Sequence, residues 1–151
     1  MKKLLALGLC LTLLSACESA PIEAPIEEPT EEVEVVEEET IGYENSEYGF
    51  SLELPMNWED YVVTERDLEW VGLDPIPSYD FGFEDYPEIF NVSIYTLEQW
   101  EIISNFEGPQ PPKLDQTETW VFAGSGGHDA PEEYLNHLLE SSEILDSFKL
   151  L

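Results

Sequence analysis

Cysteine is nearly absent from this chain of 151 residues, which carries only Cys10 and Cys17. Everything after Cys17 therefore lacks a disulfide framework and a thiolate metal site, and must be held together by its core. Basic residues are almost as scarce: five Lys and Arg stand against 34 Asp and Glu, a formal net charge of −29. Binding a phosphate backbone needs clustered Lys and Arg, so nucleic acid is excluded as a partner. The same charge disfavours contact of the protein surface with an anionic bilayer and leaves basic proteins and multivalent cations as suitable partners. The longest apolar run, Leu4 to Leu14, falls short of the ~20 residues that span a hydrocarbon core, so no permanent transmembrane helix is expected.

What is present begins with Lys2 and Lys3, then that eleven-residue apolar run, then Leu14-Ser15-Ala16-Cys17. A basic start, a short apolar stretch and a small-residue site together read as an export signal. Leu14-Ser15-Ala16-Cys17 resembles the bacterial lipobox. The resemblance implies a lipoprotein precursor: residues 1–16 as signal peptide, cleavage before Cys17, diacylglycerol on its sulfur and acylation of the new amine. The expected location is then the extracytoplasmic side of the cell membrane, with the membrane as a partner through the lipid on Cys17.

Residues 17–42 read as a tether. After Cys17 they hold ten Glu, three Pro, no Lys or Arg and a short repeat, Ala-Pro-Ile-Glu at 20–23 and 24–27. Like charges repel along such a segment and its prolines keep it extended, which suits a spacer. Val33, Val35 and Val36 offer the other reading, an edge strand.

The composition changes at Tyr43. All the aromatic residues lie in 43–151, a length that builds one core. There, 24 acidic residues face Arg66, Lys113 and Lys149, a formal charge of −21. Phe50–Leu54 alternates apolar and polar until Pro55 and predicts a half-buried strand, with Tyr61–Thr64 as its hairpin neighbour. Residues 72–80, with Gly72, Pro75 and Pro77, predict a loop before a short strand over Asp80–Phe83. Phe90–Tyr95 and Glu118–Ala123 predict further strands. Between them Thr96 and Gln99 form a capping box for a short helix with Leu97, Trp100 and Ile103 on one face. Asp129 is placed to cap a last helix from about Pro131, with Tyr134, Leu135, Leu138, Ser142 and Leu145 inward. These elements predict an α+β fold, a mostly antiparallel sheet packed by helices.

Tyr43 to Phe50, then Ser51-Leu52-Glu53-Leu54-Pro55 and Trp58, resembles the opening of PsbP-like domains, and Ile144 to Lys149 resembles their terminal helix with its Ser-Phe-Lys finish. The resemblance implies an αβα sandwich with a central, mostly antiparallel sheet, and a role as an accessory or binding domain. It transfers no metal ligand or catalytic residue to any numbered position here.

Four constellations could carry chemistry. Ala123-Gly124-Ser125-Gly126-Gly127 with His128 has the outline of a nucleophile elbow, but an elbow needs a larger parallel sheet to place its base and acid, so a flexible glycine turn is the expected reading. Glu133, His137 and Glu140 share a helix face at metal-pair spacing, a pattern that solvated faces also show. Asp74, Asp80, Glu84, Asp85 and Glu88 offer carboxylates for calcium, if a loop folds them back on one another. Trp58, Trp70, Trp100 and Trp120 divide between core and a platform for a ligand, and one exposed Trp is expected to matter. Two function classes follow. The first is a non-enzymatic binding or accessory module for an envelope or secreted protein, with no catalytic residue, no cofactor beyond a candidate calcium ion, and a basic protein partner. The alternative is a small hydrolase or metal-dependent enzyme using Ser125/His128 or Glu133/His137. A concave cluster of those side chains favours the enzyme, and a shallow aromatic patch favours the binder.

Overall fold

The computed structural model describes residues 39–151. The segment read as a signal peptide, Cys17, and residues 18–38 of the expected tether lie outside the described residues. Eight strands and two helices follow in order: β1 (Thr40–Asn45), β2 (Phe50–Pro55), β3 (Val62–Leu68), β4 (Ile76–Phe83), β5 (Tyr86–Thr96), α1 (Leu97–Ser104), β6 (Lys113–Gln116), β7 (Trp120–Gly126), α2 (Leu135–Asp146) and β8 (Lys149–Leu150). The fold is α+β, and its strands pair antiparallel throughout. They form two sheets, β1-β2-β8 and β3-β4-β5-β7-β6.

The strands exist because their sequences alternate. In β2, Phe50, Leu52 and Leu54 are buried while Ser51 and Glu53 are not. In β5, Phe90, Val92 and Ile94 point into the main core, which also takes Tyr79 and Phe81 of β4, Phe122 of β7, Trp58 and Ile144 of α2. Residues of opposite parity, Tyr95 of β5 with Val121 and Ala123 of β7, join Ile76 and Ile103 in a smaller cluster beneath α1. The five-stranded sheet thus has the small sheet and α2 on one face and α1 on the other.

Several expectations change. β1 reaches back to Thr40, inside the stretch read as tether, and Ile41 packs against the core opposite Leu54. Strand β1 thus begins three residues before Tyr43 and pairs β2 along its whole length. The hairpin partner of β2 is therefore β1 and not the 61–64 segment. A 3-10 turn, Met56–Trp58, buries Trp58 and carries the chain to the other sheet, where β3 pairs β4. β4 begins at Ile76, not Asp80. Pro77 is tolerated because β4 pairs β5 only from Ser78 onward. On α1 the Thr96–Gln99 capping box forms as expected, but Leu97 is exposed and Gln99 is buried in its place.

At the last helix, Asp129 supplies no cap. Its carbonyl accepts from Tyr86 Oη at 2.7 Å, and a 3-10 turn over Glu132–Tyr134 leads into α2 instead. Three residues per turn there rotates the helical phase, so Ser141 and Ile144 face inward while Leu135 and Ser142 are exposed. The run expected as a glycine turn is mostly strand: Gly124, Ser125 and Gly126 belong to β7. At Gly124 a Cβ would meet Leu145 Cδ2 of α2 at 2.7 Å, so a larger residue there would have to displace the end of that side chain. No helix among the described residues is long and apolar enough to cross a membrane.

Candidate functional site: an aromatic finger with an acidic rim

The segment between β3 and β4 is a tight turn. Leu73 N donates to Trp70 O at 3.0 Å, and Gly72, third of the four residues, has φ +85°, a conformation only glycine adopts without strain. The turn places Val71 at its tip, fully exposed, and leaves Trp70 38% exposed. Phe106, just beyond α1 and 54% exposed, meets the Trp70 ring edge-on at 5.6 Å and 89°. Ile102 of α1 is also exposed. These large apolar side chains are gathered in water, which makes them the candidate interaction surface of the domain.

Two hollows flank the finger. One, of 630 Å³, opens between residues 72–77 and the start of α1, with Leu73, Pro75, Ile102 and Trp120 as apolar walls. The other, of 390 Å³, lies beside Trp70 and shares Leu73 and Pro75 with the first. Among the described residues, the ionisable groups lining them are Asp74 and Glu98 in the first and Glu69 in the second. Gln99 fixes the geometry from below: its Nε2 donates to Asp74 O at 3.0 Å while Oε1 accepts from Thr96 N at 2.9 Å.

The other tryptophans pack within the domain, Trp120 while also walling the first hollow. Trp58 is fully buried, Trp100 packs on Tyr95 at 5.3 Å, and Trp120 meets Tyr48 at 5.5 Å. Trp70 is the one the surface keeps.

The acidic residues 74–88 do not converge as a folded-back loop, because most of that segment is β4. Asp74 lies at one end of the strand, and Glu84 and Asp85 follow the other. Asp80 and Glu88 do meet, at Arg66: Nε pairs with Asp80, and Nη2 reaches Glu88 Oε1 at 2.5 Å. Burial pushes the Asp80 carboxyl above its ordinary 3.8, and the neighbouring Arg66 charge opposes that rise. Glu140 is occupied too. Asn57 Nδ2 donates to both its oxygens, at 2.9 and 3.0 Å, and Trp58 Nε1 donates at 2.9 Å. His137 wedges its ring between Phe83 at 4.7 Å and Trp58 at 5.3 Å, with Nε2 3.3 Å from Asn57 O. This helix face therefore latches the Met56–Trp58 turn, and Glu133 stays at the surface. Among the described residues no three His, Asp or Glu side chains form a metal-holding group.

Ser125 and His128 are brought to one cleft of 370 Å³, with Glu88, Asn91 and Asp129 on its walls. Ser125 is the penultimate residue of β7, still paired opposite Asn91 and half-buried, whereas an elbow nucleophile stands at the apex of a strand-to-helix turn.

Sequence reading missed Val71, Phe106 and Gln99 as site residues. A legible signal existed only for the first, an apolar pair ahead of a turn glycine; Phe106 meets Trp70 solely through the placement of α1. Compared with known proteins, the chain matches no family model, no curated protein and no solved structure.

Proposed function

We propose that this chain is a bacterial lipoprotein precursor whose PsbP-like domain, an αβα sandwich, is a non-enzymatic binding or accessory module. It is held on the extracytoplasmic side of the membrane through lipid on Cys17 and contacts an envelope or secreted protein. The observation that carries the binding role is the solvent-facing cluster of Trp70, Val71, Ile102 and Phe106, which serves no core. Interface hot spots favour such aromatic anchors inside a polar rim. In support of the PsbP-like reading, the two segments that carry the resemblance pack on each other although they stand about a hundred residues apart. Phe148 stacks on Phe50 at 5.4 Å, Ser147 Oγ accepts from Glu53 N at 2.8 Å, and Lys149 pairs with Glu53 at 2.5 Å.

A photo-crosslinking amino acid in place of Val71, in cells, tests the binding role. Discrete heavier adducts are expected at that position and not with the same probe at exposed Glu118. Adducts at neither position, or equally at both, would remove the finger as an interface.

A second reading is favoured by one observation, the shared cleft of Ser125 and His128. It predicts that an ester-directed covalent probe labels the native chain and not Ser125→Ala. Labelling that survives the substitution excludes it.

A further inference from the structure

We infer that the finger and its two hollows dock a basic polypeptide segment carrying a large apolar anchor, with the anchor in the 630 Å³ hollow and Lys or Arg side chains over Trp70 and beside Asp74, Glu98 and Glu69. The inference rests on the binding-module reading and names the chemistry of the partner. Three observations carry it.

The first is shape. Leu73 and Pro75 are common walls of both hollows, which makes one continuous surface, apolar at its floor. The volume suits one or two large side chains, since pockets for small ligands run from about 300 to 1,000 Å³.

The second is charge that the domain does not neutralise itself. All three basic residues among the described residues are engaged elsewhere: Arg66 by Asp80 and Glu88, Lys149 by Glu53, and Lys113 by Gln116 at 2.6 Å. The ionisable groups lining the hollows are all carboxylates, so complementary charge has to come from a partner. The same field repels a second copy of the chain, at a formal −29, and any anionic surface.

The third is the aromatic face. Phe106 approaches Trp70 edge-on, and both rings stay exposed, where indole is the best π-partner for Lys or Arg. Apolar floor, π-face and carboxylate rim together select a segment that is both cationic and apolar. A merely cationic or merely apolar one satisfies half of the surface.

The test uses the full chain in nonionic detergent, titrated with a synthetic peptide of about twelve residues that has a central Leu-Phe pair flanked by lysines, and read by tryptophan fluorescence and calorimetry. Saturable one-to-one binding is expected. It should weaken at least tenfold in Trp70→Ala, and equally in the Asp74→Asn/Glu98→Gln pair, whose exposed carboxylates can be neutralised without touching the core. Replacing the Leu-Phe pair by glycines should cost a similar factor, and raising NaCl from about 50 to 300 mM should weaken binding severalfold as rim charges are screened. Equal binding of the glycine-substituted peptide, or unchanged binding by both variants, would overturn the proposal by reducing the interaction to diffuse charge attraction. Sedimentation showing a dimer that Trp70→Ala disperses would overturn it in favour of a second copy. If the peptide fails while Val71 cross-links persist in cells, the binding module stands and its basic partner does not; if the cross-links fail as well, both readings fall.

Discussion

Gln99 is bonded in two directions at once: its Nε2 holds the Asp74 carbonyl at 3.0 Å, and its Oε1 closes the capping box on Thr96 N at 2.9 Å. The start of α1 and the base of the Trp70 finger are therefore fixed by one side chain. Gln99→Glu separates the two duties, since a carboxylate still accepts from Thr96 N but cannot donate to Asp74. Hydrogen exchange should quicken in residues 69–75 of that variant while α1 keeps its protection. Gln99→Ala should expose both and cost about 1–2 kcal/mol, the worth of a helix cap with its buried bond. Unchanged exchange at 69–75 in both variants would show that the finger holds itself.

Truncation tests where the domain begins. A chain starting at Thr40 keeps the pairs Thr40↔Pro55, Ile41↔Leu54 and Gly42↔Glu53, and one starting at Tyr43 loses all three. Ile41 is half-buried against the core, so its loss should cost about 1 kcal/mol or more and lower Tm by about 5 °C. Starting at Glu18 instead of Thr40 should change little. Equal melting of the Thr40 and Tyr43 forms would return the boundary to Tyr43.

Alkaline pH should unfold the domain in step with its tyrosines. Burial pushes the Tyr79 phenol up to about 12, with Glu65 and Glu47 adding to the rise against an opposing hydrogen bond from Asn45, and burial also raises Tyr43, Tyr61 and Tyr95. A folded-state value above the ordinary 10.0 means that the unfolded chain loses its protons first. The contribution to stability is thus whole below pH 10 and disappears as pH climbs toward 12. Tyr79→Phe removes one such group, so its Tm should fall less steeply across that window. An identical slope in the wild type and the variant would mean that Tyr79 titrates as an exposed phenol.

Cys17→Ser tests the anchor. Each buried CH₂ of an acyl chain contributes about 0.8 kcal/mol, and two chains or more make attachment durable. Serine cannot form the thioether, so the variant should leave the membrane fraction or accumulate as an unprocessed precursor, with no incorporation of a clickable fatty acid. A Cys17→Ser chain still cut to mature size and firmly membrane-bound would sink the lipoprotein reading.

Local chemistry was legible in the chain itself. Alternation in Phe50–Leu54 and Phe90–Tyr95 located two strands, because a pleated backbone sends neighbours to opposite faces. Thr96 and Gln99 announced a helix start, because that pair satisfies amides which the helix leaves free. The deficit of Lys and Arg set the sign of the domain's own field, whatever the fold. Pairing was different. Nothing within Tyr61–Thr64 says that β3 joins β4 rather than β2; the buried Trp58 turn decides it by redirecting the chain. Nor do Trp70 and Phe106, thirty-six residues apart, declare that their rings meet. Which apolar side chains stay in water depends on the volume left after every other one has packed, and that sum exists only in the folded molecule. Composition and spacing thus determined the charge of this protein and elements such as β2, β5 and α1. Sheet membership, the strand at Thr40–Asn45 and the exposed aromatic finger were decided by tertiary packing, because each depends on surfaces that distant segments build together.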